Sequence, residues 1–121
     1  MSFQSLRGPN DGQVRDDLLT LQAVAFSRFR EDSPPELQKA ADYFATIRGT
    51  RSAELQPLLD LQIATYDLEI ARLERNAGNP TGADHHEQMA VTILRSLGWQ
   101  DTSSEKLARL TVRKLWWKRT K

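Results

Sequence analysis

The densest group of side chains that could do chemistry lies at residues 84–87, which read Asp84, His85, His86 and Glu87. These residue types bind metal ions and move protons. A metal site on one helix needs ligands three or four residues apart, because only those positions share a face. Adjacent histidines point about 100° apart, so this spacing does not favour a metal site. We expect His86 to be partly buried, His85 to be solvated, and neither to be catalytic.

A second set of candidate acid groups recurs every seven residues, at Asp60, Asp67 and Glu74. A helix would align these carboxylates, but roughly 10 Å apart. That separation is too large for a shared proton or a common metal ion. We therefore predict a solvated strip that pairs with Arg or Lys from a neighbouring helix, such as the basic last one.

Motifs that hold phosphates or activate a serine are absent from the chain, which has no Walker loop, no Gly-x-Gly-x-x-Gly and no Gly-x-Ser-x-Gly. Residues 78–82 form a Gly-rich turn before a predicted helix N-terminus, where an anion could bind. No lysine lies near this turn, and Asp84 already occupies the first helical turn. We interpret the turn as the end of one helix and the start of the next. The sequence thus predicts a non-enzymatic protein that needs no metal, cofactor or small-molecule substrate.

The charged residues are distributed unevenly along the chain, although the formal net charge is only +1. Residues 1–105 carry 10 Lys and Arg against 16 Asp and Glu, whereas residues 106–121 carry seven Lys and Arg and no acid. The pattern predicts a basic amphipathic helix over 103–119 that ends in Trp116 and Trp117. The candidate residues for binding a partner or nucleic acid are Arg109, Arg113, Lys114, Trp117, Lys118 and Arg119.

Four interpretations of this basic helix remain open. It could bind an acidic protein partner or a second copy of the chain, contact nucleic-acid phosphates with one Trp stacked on a base, or lie on a membrane surface. It could also simply pack on its own bundle, with its charges near the negative end of the helix dipole. The acidic body would repel phosphate, so we rank the protein partner above nucleic acid and nucleic acid above membrane.

The bulk composition is that of an ordinary globular domain. The chain has 121 residues, 39% of them hydrophobic and 27% charged, and it lacks cysteine. A chain of this length can bury a real core as one domain, here residues 1–121. No apolar run approaches the roughly 20 residues needed to span a bilayer, and the start lacks the apolar segment of a signal peptide. We therefore expect a cytoplasmic protein.

The central element is a predicted helix over 57–77, which is apolar on two opposite sides. One side carries Leu59, Ile63, Tyr66, Ile70, Leu73 and Ala77, and the other carries Leu61, Ala64, Leu68 and Ala71. A helix with two apolar sides needs a neighbour on each. We predict that it lies in the middle of a bundle, with the alanines allowing one neighbour to approach closely.

Four further helices are predicted around it, over about 13–30, 34–48, 83–97 and 103–119. In the first, Val14, Leu18, Leu21, Ala25 and Phe29 form the apolar stripe, widened by Leu19, Ala23 and Phe26. Three capping pairs mark helix starts: Ser33 with Glu36, Thr81 with Asp84, and Thr102 with Glu105. A Schellman motif at Gly98, in which Trp99 packs on Leu94, marks a helix end.

The predicted fold is therefore all-α, a compact bundle of about five helices with short turns and an irregular segment at residues 1–11. Tetratricopeptide-like stacked helical hairpins are the alternative, since the pair at 57–97 would suit such a hairpin. No repeat of about 34 residues recurs along the chain to support that family.

Overall fold

The computed structural model of the chain describes residues 11–30 and 32–100. These residues form four helices and no strand: α1 at Asp11–Arg28, α2 at Pro34–Arg48, α3 at Gln56–Asn76 and α4 at Pro80–Ser96. The all-α class is confirmed, with four helices in the described part of the chain rather than five. Helix α1 begins at Asp11, inside the segment predicted to be irregular, and the predicted helix at 103–119 lies outside the described residues.

Helix α3 is the middle element, as predicted from its two apolar sides. Tyr66 and Ile70 belong to a first core cluster, which α1, α2 and the turn before α3 complete. Ala64 and Leu68 belong to a second core cluster, which α4 completes with Ala90, Val91 and Leu94. Because neighbouring helices cover α3 on both of its apolar sides, several polar residues that lie between those sides are buried as well.

The C-terminal ends of α3 and α4 are Schellman motifs, as the glycines predict. In α4 the Trp99 amide donates to the Leu94 carbonyl at 3.0 Å and the Gly98 amide donates to Arg95 at 3.0 Å. Gly98 has a φ of +95°, which a residue with a Cβ rarely adopts. Trp99 packs against the second core cluster, of which Leu94 is part, so its predicted role as a structural lid is confirmed.

The two predicted capping boxes within the described residues do not form, and the pair Thr102 and Glu105 lies outside those residues. Ser33 has the extended backbone of an N-cap but makes no side-chain cap, and Glu36 accepts from the Arg30 amide at 3.3 Å. Helix α4 begins earlier than Thr81 because Pro80 suits the first helical position, where no amide is needed. Asn79 is therefore its N-cap and accepts from the Gly82 amide at 3.2 Å.

Among the described residues, helix α1 packs mainly through one side, and of the three residues predicted to widen its apolar face only Leu19 is partly buried. Leu18, Leu21 and Ala25 are buried in the first core cluster. Ala23 is exposed, and Phe26 is 64% exposed. None of the helices within the described residues combines the length and the apolar character needed to cross a membrane.

Candidate functional site

The acidic strip of α3 is not solvated as predicted, because it faces the seam between α2 and α4. At one end of the seam Asp60 makes a two-point ion pair with Arg48 of α2, with Nε to Oδ1 at 2.6 Å and Nη2 to Oδ2 at 3.0 Å. Pairing with a basic residue of a neighbouring helix is thus confirmed for Asp60. Arg48 of α2, and not the predicted basic last helix, is the partner that neutralises the Asp60 carboxylate.

Asp67, in the middle of the seam, is the least expected residue of the site. It is 1% exposed, and neither carboxylate oxygen has a hydrogen-bond partner among the described residues. Burial raises the pKa of Asp67 to about 6, since desolvation penalises the charged form. The positive field of His86 acts in the opposite direction, and the nearby Asp42 adds to the increase.

His86 occupies the far end of the seam and is partly buried, as predicted, whereas His85 is exposed. The Nε2 atom of His86 lies 3.1 Å from Gln38 Oε1 on α2, and its Nδ1 atom lies 3.1 Å from the Gly82 carbonyl oxygen. Nδ1 is also 3.7 Å from Glu74 Oε1. His86 therefore links α4 to both α2 and α3.

The orientation of Gln38 decides which form of His86 fits this geometry. The Gln38 amide nitrogen donates to Asp42 Oδ1 at 3.0 Å, which turns its carbonyl oxygen towards His86. Both ring nitrogens of His86 then face oxygen atoms that can only accept. The doubly protonated imidazolium is the form that donates to both.

A second buried polar contact joins α1 to α3. The Gln22 amide nitrogen donates to Gln62 Oε1 at 2.7 Å, and the Thr65 hydroxyl donates to the Gln62 backbone carbonyl at 2.7 Å. Gln62 and Thr65 were not among the residues predicted to be buried, and their burial is a finding of the structure. The available signal was that both residues lie between the two apolar sides of α3.

The Gly-rich turn at 78–82 is the end of one helix and the start of the next, as predicted. Glu74 Oε2 accepts from Asn79 Nδ2 at 2.7 Å, and a Cβ on Gly82 would collide with the same oxygen. A carboxylate of the chain itself therefore lies against the first turn of α4. An external anion would meet its negative charge there.

Within residues 11–30 and 32–100, no group of three or more Asp, Glu and His side chains is arranged to hold a metal ion. The candidate residues Arg109, Arg113, Lys114, Trp117, Lys118 and Arg119 all lie outside the described residues. Comparison of the chain with protein-family models, with curated proteins and with solved structures found no match. Function is therefore inferred from the chain's own charges and contacts.

Proposed function

We propose that this protein is a non-enzymatic helical interaction module that binds an acidic protein surface, on a partner or on a second copy of itself, through its basic C-terminal segment. The segment, residues 106–121, carries seven Lys and Arg and no acid. Clustered cations steer an oppositely charged partner towards them, and tryptophan is among the residues that most often anchor protein interfaces. Trp116 and Trp117 lie among these cations in the sequence.

The observation that carries the proposal is that the acidic strip of α3 is already used inside the bundle. This strip was the best internal counter-charge for the basic segment. Asp60 is paired with Arg48, Asp67 is enclosed, and Glu74 bonds Asn79 beside His86. The cations of 106–121 are thereby left for acids outside this strip.

Other acids of the bundle are also neutralised by basic residues of the bundle. Arg75 of α3 reaches Asp84 at 3.0 Å and Glu87 at 3.3 Å, both on α4. Arg72 pairs with Glu69 one helical turn away. Basic residues of the bundle thus serve mainly as local partners, whereas residues 106–121 contain seven basic residues and no acid.

Nucleic acid is the second candidate, because the same cations would attract phosphate and a Trp could stack on a base. The net charge of −6 over residues 1–105 opposes a large phosphate footprint. A membrane surface, the third candidate, would take the same cations on anionic headgroups.

The test compares Arg113→Glu/Lys114→Glu with a matched control, Arg15→Glu/Arg51→Glu, which reverses two exposed charges of the bundle. Labelled full-length chains are titrated with polyglutamate, with mixed-sequence single-stranded RNA and with anionic vesicles, and their self-association is followed by sedimentation velocity. We expect polyglutamate binding or self-association to weaken at least roughly tenfold in the first variant only, and to weaken with salt.

Equal binding by both variants would contradict the proposal. RNA affinity that persists near physiological salt, exceeds that for polyglutamate and is lost in the first variant would replace it with nucleic-acid binding. Vesicle binding as the only signal would replace it with membrane-surface binding.

A further inference from the structure

A cluster of five polar side chains joins three helices around the buried carboxylate. Gln38 and Asp42 come from α2, Asp67 and Glu74 from α3, and His86 from α4. We refer to these five residues as the α4 clasp. They lie at the N-terminal half of α4, whereas the C-terminal half is held by Leu94 and Trp99 in the second core cluster.

We propose that the α4 clasp is a proton-operated switch, which holds the N-terminal half of α4 against α2 and α3 when it is protonated and loosens it when the proton is lost. The geometry of His86 supplies the first reason. Its two ring nitrogens lie 3.1 Å from the Gly82 carbonyl oxygen and 3.1 Å from Gln38 Oε1. A neutral imidazole has one donor and one acceptor nitrogen, so one of these contacts would place two lone pairs against each other.

Gln38 cannot relieve this mismatch by turning its amide over. Its nitrogen donates to Asp42 Oδ1 at 3.0 Å, and a reversed amide would set its oxygen against that carboxylate. Loss of the His86 proton therefore breaks either the link to α2 or the contact with the preceding turn of α4. The first outcome releases α4 from α2, and in both the ring loses the positive charge that attracts Glu74 of α3, 3.7 Å from Nδ1.

Asp67 supplies the second reason, and it acts in the same direction. Among the described residues its enclosed carboxylate has no hydrogen-bond partner. The charge of His86 favours the ionised carboxylate, whereas that of Asp42 disfavours it. Its pKa in the folded chain is raised from 3.8 to about 6, so the folded state binds the proton more tightly than the unfolded state. The resulting stability is fully present below about pH 4 and is lost as the pH rises through about 6.

The other charged groups at the α4 clasp do not reverse the direction of this pH dependence. Glu74 lies 3.7 Å from His86 Nδ1 and favours a cation there. Arg75 is engaged by Asp84 and Glu87, and Arg48 is engaged by Asp60 further along the strip. Asp42 faces Asp67 from α2 and favours its neutral form. His85 packs edge-on against His86, with ring centroids 5.4 Å apart.

Hydrogen exchange of the full chain, read by mass spectrometry and corrected for the intrinsic rate at each pH, tests this switch. We expect the protection of residues 80–90 to fall at least roughly tenfold between about pH 5 and about pH 8. Protection of α1 should fall less, because α1 contributes no residue to the clasp.

Two variants and a matched control identify the groups responsible. Asp67→Asn keeps the shape without the charge, and His86→Gln keeps a side chain that reaches Gln38 without titrating. Asp67→Asn should remove most of the pH dependence in residues 80–90. His86→Gln removes the charge that lowers the pKa of Asp67, so the fall in protection should move to higher pH, whereas His85→Gln, on the exposed neighbour, should leave it unchanged.

Three results would overturn the inference. The first is a pH dependence that is equal in all four helices, which would mean global unfolding rather than a loosened α4. The second is a pH dependence that survives in both variants. The third is a pH dependence in His86→Gln that is the same as in the unsubstituted chain, which would leave His86 without a role in the switch.

Discussion

At the scale of the residue, two buried amides of α1 and α3 meet as partners. Gln62 accepts from Gln22 at 2.7 Å in the contact between α1 and α3, and both side chains are buried. A buried amide that loses its partner costs more than the hydrogen bond itself contributed, because the remaining group stays desolvated. The Gln22–Gln62 pair should therefore behave as a unit.

We predict that Gln22→Leu lowers the free energy of unfolding by about 1–3 kcal/mol, because Gln62 Oε1 is left buried without its donor. The double variant Gln22→Leu/Gln62→Leu should recover much of this loss, since no amide then remains unpaired. Urea denaturation of the two single variants and the double variant measures the coupling. Strictly additive losses would show that the two amides do not depend on each other.

At the scale of the element, the ends of the helices are determined by glycine and proline more than by capping side chains. Gly78 and Gly98 adopt positive φ values of 85° and 95° after α3 and α4. Gly49 follows α2 but keeps a right-handed backbone, with φ −67° and ψ −14°. The same residue type therefore has two different roles at the ends of these helices.

Gly98→Ala and Gly49→Ala form a matched pair, because a Cβ would meet no atom within 4 Å at either position. We expect Gly98→Ala to destabilise the chain by about 1–2 kcal/mol, the cost of a left-handed backbone for an L-residue. Gly49→Ala should instead stabilise it by about 0.4–1 kcal/mol, by reducing the entropy of the unfolded chain. Thermal unfolding followed by circular dichroism measures both changes, and equal effects would contradict the assigned roles.

At the scale of the whole molecule, α3 organises the bundle by separating two apolar clusters. The first core cluster contains aromatic and large aliphatic side chains such as Phe44 and Tyr66. The second, shared with α4, contains alanines on both helices, at Ala64 and Ala90. Small residues leave little room between two helices, so this contact should tolerate added volume poorly.

We predict that Ala90→Leu lowers the free energy of unfolding by about 1–3 kcal/mol, because Ala90 is fully buried between α3 and α4 and the added atoms must push them apart. Ala45→Leu, on the exposed side of α2, is the matched control and should change it by no more than about 0.5 kcal/mol. Denaturant unfolding of both variants tests the assignment. A harmless Ala90→Leu would mean that the α3–α4 contact has spare room.

The sequence by itself determined the all-α class, the approximate bounds of α1 to α4, the central position of α3 and the Schellman ending at Trp99. These features follow from local rules, namely the 3.6-residue period and the backbone preferences of glycine and proline. The inward position of His86 followed from the same periodicity.

Only the tertiary structure decided which polar side chains are enclosed. Asp67 was predicted to be solvated, because the period shows which side of a helix is apolar but not how far its neighbours reach around it. Helices α2 and α4 both pack on α3, so they close over the strip between its apolar sides. Burial of this strip, and with it the raised pKa of Asp67, is a property of three helices together that no single stretch of sequence encodes.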